Sequence, residues 1–356
     1  MTKLLSIIIV NFRTADMLWD CIKSISEQNV DSEIIIVDNN SGDHDRDVLE
    51  VLRTSYPFVT LILNNVNHGF SKANNQALAA SSGEYVLFLN PDTLLFPLCL
   101  DRLLSFIKTV QGVGCFIPKL WMDKEKTFLM PPSYLPSLWE TVQNHVSMSS
   151  DLLLSLSFKR WLRKALAYWN ADTPLPVEAI SGAFFMTTKK VLNDVGAFDE
   201  LFTLYFEDSD LCRRIKEAGL KLYYCPDAEA VHFYNQSAKS SPECLQKFLM
   251  SEGLYMAKYY HPYLIRMVSQ LVKLPKTKAR HPLKEWDFSS PIQSTPGGYL
   301  LFSSLITMMP CVSHRMTTEP FIFDNSFVKN LASGKYYVML LRPDGTVSEK
   351  LMLEKH

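Results

Sequence analysis

The chain has 356 residues, 47% of them hydrophobic, and its 36 basic side chains nearly balance 37 acidic ones. That balance excludes a dedicated nucleic-acid binder, which carries a strong basic excess, and the length suits about two domains. Seven cysteines, at 21, 99, 115, 212, 225, 244 and 311, form no C-x-x-C pair, which argues against a disulfide framework or a zinc site and for a cytoplasmic protein.

Residues 4–10 open the chain as an apolar run with no small-residue cleavage site, and they read as a buried strand rather than a leader. Through about residue 120, short β-branched runs alternate with helical ones. Strands are expected at 6–10, 33–37, 60–63 and 85–89, and helices at 15–28, 47–56 and 71–82. Continuous apolar strands of this kind belong to a mostly parallel sheet covered on both faces, an α/β fold. Ligands of such sheets bind beyond the carboxyl ends of the strands. Attention therefore falls on Asn11-Phe12, Asp38-Asn39-Asn40 and Asn90-Pro91-Asp92.

Residues 151–169 form an amphipathic helical pattern, with Leu154, Phe158, Trp161, Leu162, Ala165 and Trp169 on one stripe and Lys159, Arg160, Arg163 and Lys164 on another. Packing on a core and contact with an anionic membrane are both open to it. A further helix is expected at 242–274, followed by a basic linker at 276–285. From 286 the texture changes to short strands at 298–303, 320–323, 335–342 and 346–353, with Pro343-Asp344-Gly345 as a hairpin signal. The apolar stretch 299–312 is too short to span a bilayer. The expected domains are therefore 1–275 and a small all-β unit at 286–356. Charge is unevenly spread: residues 1–100 hold 6 basic and 12 acidic side chains, while 258–284 are basic.

Four sets of residues carry chemistry. Asp38 ends the run Ile34-Ile35-Ile36-Val37, which suits either a turn carboxylate or one that reads a nucleobase edge. Asp92 supplies a hard oxygen ligand after the strand at 85–89, although Asn-Pro-Asp is also a common turn. Glu207-Asp208-Ser209-Asp210 stands at the start of a short helix, and three carboxylates exceed what capping needs, so one could act as a general base. His232 is a packed histidine or a metal or phosphate contact.

Together with Asn67-His68-Gly69-Phe70, Asn74-Asn75, Ser181-Gly182-Ala183-Phe184-Phe185 and Gly196-Ala197-Phe198-Asp199-Glu200, these segments resemble the inverting family 2 glycosyltransferases, in particular their bacterial rhamnosyltransferase-like branch. The resemblance runs in consistent order over about residues 4–260. It implies a GT-A fold and a nucleotide-sugar donor, dTDP- or UDP-linked and favouring dTDP-rhamnose. The acceptor implied is a cell-surface polysaccharide or a lipid-linked glycan. It further implies Mg²⁺ or Mn²⁺ held by Asp92 and His232, Asp208 as catalytic base with Glu207 beside it, and donor contacts from Asn11, Asp38, Asn40, Gly69, Asn74, Asn90 and Gly182. Asn90 replaces the first acid of the family's D-x-D motif, leaving one carboxylate fewer for the metal. The enzyme is expected in the cytoplasm, peripheral on the inner face of the membrane. Residues 331–339 resemble a fibronectin type III-like strand signature, and that terminal domain is expected to aid acceptor binding or homo-oligomerisation. Two other readings are a sugar nucleotidyltransferase, which would want a glycine-rich loop where Asn11–Ala15 stand, and a non-catalytic glycan-binding scaffold, which would not need the acids.

Overall fold

The computed structural model describes residues 3–147, 150–233, 242–271, 283–293 and 295–356. Backbone contacts divide the chain into two compact units. The first comprises Met1–Lys124, Pro132–Pro136 and Ala171–Pro262, and the second Glu125–Pro131, Ser137–Asn170 and Tyr263–His356. This grouping differs from the division expected at 275, because residues 125–131 and 137–170 fold with the C-terminal part. The expected linker lies mostly outside the described residues.

In the first unit, β1 (Leu5–Asn11), α1 (Ala15–Ser26), β2 (Ser32–Asp38), α2 (Asp43–Ser55), β3 (Val59–Leu63), α3 (Phe70–Ala80) and β4 (Tyr85–Leu89) alternate as the apolar pattern requires. The short β5 (Thr93–Leu95), α4 (Cys99–Ile107) and β6 (Val113–Trp121) follow. Two helices of the second unit intervene, α5 (Leu138–Ser147) and α6 (Asp151–Trp169). The chain then returns as β7 (Leu175–Val177), β8 (Phe184–Thr188), α7 (Lys189–Val195), α8 (Glu207–Glu217), β9 (Lys221–His232) and α9 (Pro242–Tyr259).

The strand order is β3-β2-β1-β4-β8-β6-β9-β5, with β7 on β9. Strands β1 to β4 are mutually parallel, and β6 and β9 run with them. Strands β5, β7 and β8 run the other way. Ile7, Ile8 and Ile9 are fully buried, as expected of a strand covered on both faces. Helix α1 faces the sheet with Leu18, Cys21, Ile22 and Ile25. All seven cysteines are free thiols, six of them buried.

Proline decides one departure from the expected elements. The single helix expected at 242–274 is two, because Pro262 begins α10 (Pro262–Leu271); proline suits the first position of a helix but cannot continue one.

The second unit ends in β10 (Lys284–Trp286), β11 (Tyr299–Ser303), β12 (Val312–Arg315), α11 (Asn325–Asn330), β13 (Gly334–Leu341) and β14 (Val347–Lys355). They form a separate five-stranded sheet ordered β10-β14-β13-β11-β12. The strand expected at 320–323 is absent and only an isolated bridge joins Ile292 to Phe321. Phe321 and Phe323 serve instead in an aromatic cluster around Phe128, with Phe302 and Phe327. The apolar stripe of α6 packs within this unit: Phe158, Leu162, Ala165 and Trp169 are buried, while Lys159, Arg160, Arg163 and Lys164 are exposed. Trp169 donates its indole N–H to Met130 O, and Tyr299 donates its hydroxyl to Asn170 Oδ1 at 2.5 Å.

Phe128 is 1% exposed and central to the cluster. Phe128→Ala should lower stability by about 3–5 kcal/mol. Urea unfolding of the purified chain checks this through an earlier transition of the second unit.

Candidate functional site

The parallel register brings Asn11 and Asp38 side by side at the carboxyl ends of β1 and β2. Asn11 is fully buried and donates through Nδ2 to Asp38 Oδ1, Ser41 Oγ and Asp45 Oδ1, each at 3.0 Å. Its Oδ1 accepts from the Thr14 hydroxyl at 2.9 Å. Asp38 is itself fully buried; its Oδ2 lies 3.7 Å from Arg46 Nε and accepts weakly from Ser41 N–H. The carboxylate thus holds the loop after β2 from inside. Asn40, in the left-handed region at φ 64°, is the exposed residue of that turn. Asp45 and Arg46 escaped the sequence reading because only the fold turns α2 back on β1.

Asn39, next in line, knits a second layer. Its Nδ2 donates to Asn67 Oδ1 at 2.8 Å and to Gly69 O, and its Oδ1 accepts from His68 N–H. Gly69 has φ +84°, and a Cβ there would lie 2.8 Å from Thr203 O, the atom that accepts from Phe70 N–H. Glycine is required on both counts. Asn74 is buried in the first turns of α3 and donates back to Phe70 O.

Strand β8 runs antiparallel beside β4, with Leu89 opposite Phe184, so the end of β4 meets the start of β8. Asn90 N–H donates to Ala183 O at 2.9 Å. One residue earlier, Gly182 N–H donates to Asp208 Oδ2 at 2.8 Å. Two hydrogen bonds donated by backbone N–H groups therefore link the Asn90-Pro91-Asp92 turn, through Gly182-Ala183, to the Asp208 carboxylate of α8. Similarly, β5 pairs with β9 so that Thr93 faces His232, and Phe233 N–H donates to Asp92 O. Asp92 is buried, its Oδ1 makes no hydrogen bond, and that oxygen lies 3.5 Å from His232 Nε2. A buried carboxylate oxygen left without a donor costs about 1–3 kcal/mol or more. A cation is the group whose chemistry suits it. The donor set is small, and among the described residues no cluster of three or more ligating side chains occurs. A divalent ion held by one or two protein groups plus substrate phosphates fits such a set.

Helix α8 is entered through two consecutive non-glycine residues in the left-handed region, Tyr205 at φ 70° and Phe206 at φ 68°. Each costs roughly 1–2 kcal/mol. Ring contacts of Phe206 with Phe248 and Tyr255, and a hydrogen bond from Ser251 Oγ to Leu204 O, hold the segment there. The three acids that follow have different environments. Asp208 accepts from Gly182 and Ser209 N–H groups and retains partial exposure; burial nevertheless raises its pKa. Glu207 is buried with Oε2 unpartnered, and its pKa is pushed up to about 8, first by burial and then by the charge of Asp208. Asp210 is fully buried and neutralised, accepting from Arg214 Nε at 2.8 Å, Lys258 Nζ at 2.5 Å and the Tyr259 hydroxyl at 2.6 Å.

The sequence reading counted Asp210 among the three acids that open α8, but it missed this structural pairing and the α9 groups Lys258 and Tyr259. Arg214 four residues on was the available signal, since i, i+4 pairs meet on a helix. Arg214 donates onward to the carbonyls of Val195, Gly196 and Ala197.

Residues 6–174 match the family described as Glycosyl transferase family 2. The chain carries a family 2 glycosyltransferase domain. Rhamnosyltransferase WbbL of Escherichia coli K12 is 27% identical to it over 244 residues, covering 66% of this chain and 85% of that protein. The N-acetylglucosaminyl-diphospho-decaprenol L-rhamnosyltransferase of Mycobacterium tuberculosis is 26% identical over 258 residues, covering 68% and 80%. Among solved structures, GalNAc-T7 with UDP, GalNAc and Mn²⁺ aligns with a TM-score of 0.51 at 13% identity, covering all of this chain and 72% of that one, which shows a shared fold. The protein is a glycosyltransferase with the GT-A-like α/β fold. Its Gly182, Glu207, Asp208 and His232 lie beyond the matched segment, and the strand pairings above join them to it.

The raised pKa of Glu207 has a measurable sign. A carboxyl that ionises only near 8, against its ordinary 4.5, stabilises the fold fully below about 4.5 and loses that contribution as pH rises through 8. Glu207→Gln should therefore lose less stability than the parent between those pH values. Denaturant midpoints across the range are the measurement, and parallel curves would show that Glu207 ionises normally.

Proposed function

We propose that the glycosyltransferase is an inverting enzyme that moves a sugar from a dTDP- or UDP-linked donor to a hydroxyl of a cell-envelope glycan or lipid-linked acceptor. The names of the two rhamnosyltransferase relatives support rhamnose as the sugar, and the decaprenol-linked substrate in one of those names supports a lipid-linked acceptor. The observation that carries the reading is the state of Asp208. Its carboxylate, in the first turn of α8, is held by the backbone N–H groups of Ser209 and of Gly182 ahead of β8, is partly exposed, and has a raised pKa. Those are the properties of a general base toward a hydroxyl.

In a single displacement the acceptor oxygen attacks the anomeric carbon as its proton passes to Asp208, and the nucleoside diphosphate leaves from the opposite face. One base suffices, and no protein nucleophile forms a covalent intermediate. Glu207, largely protonated at neutral pH, leaves Asp208 as the ionised member of the pair and offers a donor toward a sugar or acceptor oxygen. Asp92 and His232 would hold the divalent cation, Mg²⁺ or Mn²⁺. Such an ion supplies positive charge against the departing diphosphate. Asn11 and Asp38 act from within, shaping the loop that presents Asn40 and Ser41 to the nucleotide. Gly69, Asn74 and Asn90 fix the neighbouring backbone, and Gly182 orients the base. No described helix is long and apolar enough to cross a membrane. The exposed Lys159, Arg160, Arg163 and Lys164 support peripheral contact with an anionic, cytoplasm-facing membrane surface.

Asp208→Asn should lower the transfer rate roughly 10²–10⁴-fold while leaving nucleotide affinity nearly intact. Calorimetry with UDP and dTDP, with and without Mn²⁺, provides the second readout; retained transfer in the variant would refute the base assignment. Because the base must be ionised, transfer should rise with pH through the raised Asp208 pKa. Asp92→Ala should remove the metal dependence of nucleotide binding, and unchanged Mn²⁺-dependent affinity would displace the metal from this residue.

A further inference from the structure

The second unit contains an open groove of about 680 Å³ that the transfer chemistry above does not use. Its apolar lining includes Leu154, Phe158 and Leu162, one i, i+4 row of α6, with Met308, Val338 and Leu351. Lys159 and Arg163, on the adjacent row of the same helix, and Lys350 of β14 also line it. Each of the three cations is exposed, and among the described residues none is engaged in an ion pair or side-chain hydrogen bond. By contrast, the nearby Lys284 is paired to Glu349 at 3.1 Å. One acid, Asp344, lines the groove as well; its Oδ1 is taken by the Thr346 N–H and hydroxyl at 2.9 and 2.7 Å. The lining thus combines a hydrocarbon-sized apolar trough with three uncommitted cations against a single carboxylate, an excess of positive charge.

Neither half of that combination suits a simple ligand. A free phosphate would gain nothing from the leucine and phenylalanine wall, and a neutral apolar molecule would gain nothing from the cations. An amphiphile with a hydrocarbon chain and a phosphate or diphosphate head satisfies both, burying its chain against the α6 row while its charge meets Lys159, Arg163 and Lys350. We propose that this groove is a binding site for a long-chain alkyl or prenyl phosphate, one molecule per chain. As the lipid end of an acceptor it rests on the transfer reading. As a binding site it can be measured without any sugar transfer.

The experiment titrates the full chain by calorimetry with octyl, decyl and dodecyl phosphate below their micelle concentrations. Affinity should rise with chain length, roughly tenfold for every two methylenes buried. Inorganic phosphate alone should not compete. The variant Lys159→Glu/Arg163→Glu/Lys350→Glu, whose changes are all at exposed positions, should lower dodecyl phosphate affinity at least tenfold while leaving that for neutral dodecyl maltoside unchanged. Ser155→Trp, which narrows the groove from an exposed position, should weaken both ligands. The proposal is overturned if dodecyl phosphate does not bind, if affinity is independent of chain length, if inorganic phosphate competes equally well, or if neither variant alters binding. Binding to phosphatidylglycerol vesicles without binding of monomeric dodecyl phosphate also overturns it, in favour of a flat membrane-facing patch. Mn²⁺-dependent UDP or dTDP affinity of the same preparation reports separately on the transfer reading: its loss with alkyl phosphate binding intact sinks the transfer reading and leaves the groove standing.

Discussion

The reversed strand β8 is the constraint on which the candidate site depends. Because β8 runs against β4, its first residues meet the carboxyl end of β4, and the Asn90 to Ala183 hydrogen bond closes that junction. Gly182 is then placed to donate to Asp208. A parallel strand in the same place would bring its carboxyl end there instead, and the Ser181-Gly182 turn would lie at the far edge of the sheet. The antiparallel β5–β9 pairing does the same for Asp92 and His232. Residues far apart in the chain become neighbours through the direction of two strand pairings.

Within helix α8 three carboxylates in four residues escape mutual repulsion by being given different surroundings. Asp210 is fully buried but meets Lys258, Arg214 and Tyr259, so its charge is satisfied and it serves to join α8 to α9. Glu207 is buried, is in no ion pair among the described residues, and is pushed toward the neutral form by burial and by the charge of Asp208. Asp208 sits between these extremes, stabilised as an anion by backbone N–H groups and destabilised by burial. Divergent ionisation in a compact acidic cluster is the arrangement from which acid and base roles are built. The left-handed Tyr205 and Phe206 that precede the helix are tolerated because aromatic packing with Phe248 and Tyr255 over-determines their position.

The first four strands were legible in the sequence: β1, the isoleucine-rich part of β2 and β4 are continuously apolar because both faces are buried, and β3, though partly exposed, is still a short β-branched and leucine run. The acids at their ends were legible too. The environment of Asp38 was not: its position after the strand suited a turn carboxylate or a base-reading one, and only the turn of α2 over β1 shows it buried with Asn11, Ser41 and Arg46. Residues 320–323 show a related limit. Their aromatic residues satisfy strand propensity, but the aromatic cluster around Phe128 takes Phe321 and Phe323, and tertiary packing outweighs local preference. The α6 stripe was read correctly as apolar, yet periodicity alone could not say that it folds with the C-terminal sheet.

By itself the sequence determined the alternation of strands and helices, the family-like order of motifs and the identity of the acids at the strand ends, because these depend on local periodicity and residue type. The tertiary structure alone decided which carboxylates are satisfied, which stay open and which lose their charge. Those outcomes depend on desolvation and on donors contributed by distant segments, Gly182 for Asp208 and Lys258 for Asp210, and chain spacing carries no record of either.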